Sequence, residues 1–219
     1  MFRAIFFDLD QTLVDRSATF AAYLAKAYRD LALAERGVVE ADFYLAIHRW
    51  DDNGYRAKPD TFQRAMSDLG SPELAEPLLA HFKPNYGHDA RLFTGVKATL
   101  DVLKQQWPLA LISNGRSLGQ ATKLKVTGIA DRFQEILVSE TEAIKKPDPE
   151  IYLRACERMS LQPEQVLFVG DHPVNDVQVP TELGMKAVWV ENETYQPPQR
   201  AWAVVQSVVE LPALLAADG

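Results

Sequence analysis

The sequence predicts an α/β fold: a doubly wound parallel sheet in a Rossmann-like three-layer core, accompanied by a small all-helical domain. Three observations point there. Short continuous apolar runs recur along the chain, amphipathic helical stretches lie between them, and one section, residues 16–90, is helix-rich with no convincing strand. Continuous apolar runs of this length read as strands covered on both faces. Strands that alternate with helices of ordinary length build parallel sheets.

The first run, AIFF, stands immediately before Asp8. After it, ATFAAYLAKAYRDLALAE reads as one long amphipathic helix, and shorter helices are expected over 40–52, 59–69 and 72–82. This block separates the first strand from the rest of the α/β pattern, so it is read as an insertion. Residues 1–15 and 91–219 then form the core domain, and 16–90 the helical one. The later runs are LALIS ending at Ser113, EILVS ending at Ser139, VLFVG ending at Gly170 and KAVWV ending at Val190. Helices are expected near 95–106, 118–126, 149–159 and 174–184. AVVQS, near 203–207, adds a short sixth strand, and VVELPALLA a closing helix.

Composition narrows the function classes. The 219 residues are 47% apolar and 24% charged, as in ordinary globular proteins, with a formal net charge of −7. An acidic chain is a poor partner for nucleic acid, whose phosphate backbone favours basic surfaces. A small anionic substrate stays compatible, because a few lysines or a metal ion reverse the field locally. The single cysteine, Cys156, forms no intramolecular disulfide and sits in IYLRACERM, where helical spacing predicts burial as a small hydrophobe. The apolar run at the N-terminus is too short and too acidic for a signal peptide. No stretch approaches the about 18 apolar residues of a membrane helix. The expectation is a cytoplasmic protein, monomer or homodimer.

Several strands end in residues with chemistry. The first leads into Asp8-Leu9-Asp10-Gln11-Thr12, the second into Ser113-Asn114-Gly115, and the fourth into Gly170-Asp171, with Asp176 five residues on; Lys146 stands in KKPDP before a helix. Taken singly, each has a plain alternative. Aspartates at strand ends are commonly turns or helix caps, and Ser-Asn-Gly is a turn signal. Lysines are mostly solvated, and Gly170-Asp171-His172-Pro173 is a good helix start. Their joint placement carries the argument, since ligands of open parallel sheets bind beyond the carboxyl ends of the strands.

At these residues the chain resembles the haloacid dehalogenase-like hydrolase superfamily. DLDQT matches its first motif, the Ser of ISNG its second, the Lys of KPDP its third and GDHPVND its fourth, all in order, with the helical block where one subgroup carries its cap. The resemblance implies a Mg²⁺-dependent phosphatase acting on a small phosphorylated metabolite: a sugar phosphate, a nucleoside monophosphate or phosphoglycolate. It makes Asp8 the nucleophile that forms an aspartyl-phosphate. Asp10 is the acid and base, and the Asp8 carboxylate beside it is expected to raise its pKa. The resemblance also implies a sharp turn of the chain after Asp8, as the following loop makes in this family, by which both acids reach the substrate. Mg²⁺ takes the Asp8 carboxylate, the Asp10 carbonyl and the Asp171 carboxylate, with Asp176 acting through water or by holding Lys146. Lys146, the Ser113 hydroxyl and the N–H groups of Leu9, Asp10 and Asn114 bind the phosphoryl oxygens. Thr12 braces the first loop.

Gln11 stands where the family most often has Gly, and His172 where a small hydroxyl residue is common. In the family the cap selects the substrate; HRWDDNGYRAKPDTF concentrates His48, Arg49, Asp51, Asp52, Tyr55, Arg56 and Lys58 there. Three rival functions share the frame: a phosphomutase, a 2-haloacid dehalogenase and a non-catalytic binding module. Asp10 and the pair Asp171/Asp176 weigh against the dehalogenase, and the retained acids and lysine against the binding module.

Overall fold

The computed structural model describes residues 2–217. It divides into two compact units, Met1–Ser17 with Ala90–Gly219, and Ala18–Asp89.

The first unit is built on six parallel strands: β1 (Ala4–Phe7), β2 (Leu109–Ser113), β3 (Glu135–Val138), β4 (Val166–Gly170), β5 (Lys186–Val190) and β6 (Ala203–Val205), in the order β3-β2-β1-β4-β5-β6. All four residues of AIFF are buried because both faces of the sheet are covered. Alternation splits them. Ile5 and Phe7 join Leu109, Leu111, Leu167 and Val169 in a core on one face. Ala4 and Phe6 join Ala110, Ile112, Val166 and Phe168 on the other, where Ile151, Tyr152, Ala155 and Cys156 close the layer. Burial pushes the Cys156 thiol up to about 11, which keeps it protonated and inert at neutral pH.

The helices, in chain order, are α1 (Arg16–Asp30), α2 (Glu40–Asp51), α3 (Lys58–Asp68), α4 (Ala75–Asn85), α5 (Val96–Leu103), α6 (Ser117–Thr127), the single turn α7 (Ser139–Glu142), α8 (Pro149–Arg158), α9 (Val179–Glu182) and α10 (Leu211–Ala217). The stretch expected as one helix near 174–184 is instead a π-helical turn, Pro173–Gln178, followed by α9. Among the described residues, no helix is long and apolar enough to cross a membrane.

The second unit is all helical. Phe20, Tyr23, Leu24, Phe43, Ile47 and Phe62 belong to its core, with aromatic edges meeting faces around Tyr23, Phe82 and Tyr86. The long helix expected through Glu35 stops at Asp30: Ala32 adopts a left-handed φ of 48°, which turns Leu33 into this core. Asp52, Asn53 and Gly54 are three consecutive left-handed residues, and Asn-Gly is the pair that tolerates such a turn best.

Candidate active site

Chain order places the site. The first crossover carries the sheet from β1 to β2 and β3, and the chain then returns to the far side of β1 to lay down β4. The carboxyl ends of β1 and β4 therefore flank the point where strand order reverses, the place where such sheets bind ligands. Asp8 follows β1 and Asp171 follows β4.

Between them sits Lys146, 3% exposed. Its Nζ donates to Asp8 Oδ1 at 2.7 Å and to Asp176 Oδ1 at 2.7 Å. One carboxylate oxygen from each of Asp8, Asp171 and Asp176 lies within 4.8 Å of the other two. The Thr12 hydroxyl donates to Asp171 Oδ1 at 3.3 Å, so the brace expected of Thr12 runs to the end of β4. The backbone of Asp171 is fixed as well, its carbonyl accepting from Trp189 Nε1 and Asn192 Nδ2.

Asp176 reaches back to this cluster because the chain enters the π-turn through His172. The His172 ring caps that turn, Nδ1 accepting from the N–H groups of Val174 and Asn175, and the backbone N–H of His172 donates to Asp176 Oδ2 at 2.9 Å. Asp176 also lies flat on Gly170, where an added Cβ would overlap its carboxyl. Gly170→Ala is therefore expected to displace Asp176, cost roughly 1–3 kcal/mol by overpacking, and depress turnover; a urea unfolding curve beside an activity assay checks both.

The acids feel one another. Burial raises the Asp8 carboxyl to about 7, with Lys146 opposing and Asp176 adding to the rise. Burial, then the charges of Asp176 and Asp8, raise Asp171 to about 8. For Lys146, burial alone would favour the neutral amine, but Asp176 and Asp8 more than offset it and the pKa is raised. The ammonium is thus held charged among carboxylates that outnumber it.

Asp10 corrects the expectation. Its pKa is lowered, not raised. Burial pushes it up, but the Lys123 charge and hydrogen bonds from Gln120 and Lys123 outweigh that. Lys123 Nζ contacts both Asp10 oxygens at 2.7 Å, and Gln120 Nε2 donates to Oδ2 at 3.0 Å. The local argument from Asp8 missed a cation 113 residues away in sequence.

Ser113, 1% exposed, takes part in the same network, its Oγ 2.8 Å from Gln120 Nε2. Asn114 grips the third motif: its Oδ1 accepts from the Lys146 N–H and its Nδ2 donates to the Lys146 carbonyl, both at 2.8 Å. Leu9 is fully buried, and its carbonyl accepts from Leu13 and Val14 to close the turn after Asp8. Gln11 completes that turn at φ 63°, which explains why Gly is the easier residue there. Its Oε1 accepts from the N–H of Arg16, capping α1. Asp8, Asp10, Ser113, Asn114, Lys146 and Asp176 are thus joined through Lys146 and Gln120 in one hydrogen-bonded group, with Asp171 beside it, while Leu9 and Gln11 shape the turn that follows Asp8.

Gln120 and Lys123 are what sequence reasoning missed. The signal was faint: positions 120, 123, 124 and 127 form an i, i+3, i+4, i+7 stripe on α6, but three of the four are polar and only Leu124 marks the face as inward.

In the helical unit, Arg49 pairs with Asp68, Arg56 with Asp60 and Lys58 with Asp51, while His48 stands edge-on to Phe20.

Residues 2–184 match the family described as haloacid dehalogenase-like hydrolase, and the chain belongs to that family. Its curated relatives include phosphatases named for three different small phosphorylated compounds, which groups the chain with phosphoric monoester hydrolases. One, phosphoglycolate phosphatase of Mannheimia succiniciproducens, is 31% identical over 85% of this chain and 84% of its own. Among solved structures, the HAD-hydrolase YfnB of Bacillus subtilis superposes with a TM-score of 0.77 at 22% identity, covering 98% of both chains. A 2-haloacid dehalogenase from Pseudomonas syringae superposes at 0.69 with 26% identity, covering 100% of both.

Proposed function

We propose that this hydrolase is a Mg²⁺-dependent phosphatase of small phosphorylated metabolites, with Asp8 as covalent nucleophile. One observation carries the reading: a buried lysine bridging Asp8 and Asp176, with the Asp171 carboxylate beside them at the switch point of the sheet.

The donor set fits a divalent cation. Three carboxylates crowd one lysine, and two of them are pushed toward neutrality by burial and mutual repulsion, a conflict that a hard cation with oxygen ligands resolves. The Asp8 and Asp171 carboxylates and the Asp10 carbonyl would hold it; Asp176, whose oxygens already accept from Lys146 and His172, acts through Lys146. Bound Mg²⁺ would neutralise charge on the phosphoryl oxygens and on the acids that hold it.

The chain's own residues then divide the work. An Asp8 oxygen attacks phosphorus while the bond from phosphorus to the organic oxygen breaks, and that oxygen takes a proton from Asp10, whose carboxylate, ionised in the free protein, takes up that proton when the negative charge of the substrate phosphate enters beside it. In the second half, water gives its proton to Asp10 as its oxygen bonds to phosphorus and the Asp8–phosphorus bond breaks, releasing phosphate. Lys146 stays protonated beside Asp8 throughout, and the Ser113 hydroxyl with the N–H groups of Leu9, Asp10 and Asn114 orient the phosphoryl group. The dehalogenase alternative attacks carbon and has no work for Asp10 or for a metal. The 18–89 unit, as a cap, would select the organic part of the substrate, and exclude water.

Mg²⁺ should activate hydrolysis of 4-nitrophenyl phosphate, and exhaustive chelation should abolish it; undiminished rates in chelator refute metal use. Binding has a readout of its own. Asp8 and Asp171 hold protons more tightly folded than unfolded, so stability of the metal-free protein falls as pH rises from near 4 through 7–8. Mg²⁺ should therefore raise the thermal midpoint more at pH 8 than at pH 6.

A further inference from the structure

Two polar side chains, each 2% exposed, lie beside the site without belonging to any of the four motifs: Gln120 and Lys123, adjacent on one face of α6. Buried lysines are uncommon unless paired, and this one meets both oxygens of Asp10 at 2.7 Å. Gln120 does more. Its Nε2 lies 3.0 Å from Asp10 Oδ2, 2.8 Å from Ser113 Oγ and 2.9 Å from the Asn114 carbonyl, so one amide ties the loop after β1 to the loop after β2.

The amide orientation is dictated by those partners. A carboxylate and a carbonyl both accept, so the nitrogen must face them, and Oε1 is left buried with no hydrogen-bond partner. A glutamine present only to fill space would not leave a buried acceptor unmet. Gly115 is fitted to the same side chain. A Cβ there would fall 2.8 Å from Gln120 Nε2, at a φ of 149° that disfavours any other residue. Asp10 itself keeps 20% of its side chain exposed, so it is held from behind while remaining within reach of a substrate.

We propose that Gln120 and Lys123 are positioning residues that clamp the Asp10 side chain against the end of β2, setting the orientation in which it exchanges protons with the leaving group and with water. This rests on the phosphatase reading above and deepens it. The clamp acts on Asp10 and not on Asp8, whose oxygen is set by Lys146. It should therefore matter most in the step that needs Asp10 whatever the substrate, the attack of water on the phosphorylated Asp8.

The test uses the full chain with Mg²⁺ and 4-nitrophenyl phosphate, whose leaving group departs as a stable anion and needs no proton. Stopped-flow release of 4-nitrophenol is compared in wild type, Lys123→Met, Gln120→Met and Asp8→Asn. For Lys123→Met, steady-state kcat should fall about 10- to 100-fold, less than the about 10²- to 10⁴-fold worth of a general acid–base group because Asp10 itself remains; KM should fall in parallel and kcat/KM change less than about threefold, since only the step after phosphorylation of Asp8 is slowed. A burst approaching about one equivalent should precede the slow phase, because Asp8 still accepts the phosphoryl group while water attack is slowed. Gln120→Met should behave alike with a smaller loss. Wild-type turnover without a burst in Lys123→Met overturns the proposal. So does equal loss of both phases in a protein with an unchanged thermal midpoint, since the pair would then serve Asp8. If Lys123→Met does not fold, the same readings on Gln120→Met decide. Failure of the phosphatase reading is distinct: wild type releases no nitrophenol, or Asp8→Asn releases it at the wild-type rate.

Discussion

Asp8→Asn is expected to lower turnover of an aryl phosphate by about 10⁴-fold or more, the scale seen when a covalent nucleophile is removed, while leaving the protein folded. The amide is nearly the same size and its oxygen can keep facing Lys146 Nζ, now 2.7 Å from Asp8 Oδ1. What it lacks is the nucleophilic oxygen. The thermodynamic consequence has the opposite sign. Because burial and Asp176 push the Asp8 carboxyl up to about 7, its ionised form is disfavoured in the fold, and that cost is fully present above this value. Metal-free Asp8→Asn should accordingly be at least as heat-stable as wild type at pH 8, and the difference should vanish toward pH 5. An inactive variant that melts well below wild type would mean that activity was lost with the fold. Near-normal turnover would place the nucleophile elsewhere.

That such a prediction can be framed at all owes much to what the sequence displays. The buried strands announce themselves as AIFF, LALIS and VLFVG, because a strand covered on both faces cannot alternate polar with apolar. Asp8, Ser113 and Asp171 are legible as polar residues ending or following such runs, and topology alone gathers them. The charge state of Asp10 was not legible in the same way. Its sign depends on Lys123, which looks like a solvated helix lysine until α6 is docked with positions 120 and 123 inward. The π-turn was equally hidden. Its cause is the His172 ring cap and the fold-back of Asp176 onto Gly170, both of them contacts made only after β4 and the turn are in place. Local patterns thus specify strands and motifs, whereas protonation depends on long-range pairs.

Lys146→Met should produce the second large effect, on stability and activity together. The lysine is buried between Asp8 and Asp176, with Asp171 nearby, and its side chain is 2% exposed. Methionine fills similar volume but leaves three carboxylates facing one another without a cation. Breaking a buried pair by removing one partner typically costs about 3–5 kcal/mol, because the stranded charge cannot return to water. Here relief is available through protonation or metal, so the loss in urea unfolding should be largest at pH 8 without Mg²⁺ and shrink at pH 5 or with the ion. Adding Asp176→Asn to Lys146→Met removes the carboxylate that the lysine chiefly offset, and should recover a large part of the stability. Activity should not return, since the positive charge beside Asp8 and the entering phosphoryl group is still missing. A single variant that loses less than about 1 kcal/mol and keeps its turnover would contradict this, as it would place Lys146 among ordinary ion pairs of modest worth and not at the centre of the site.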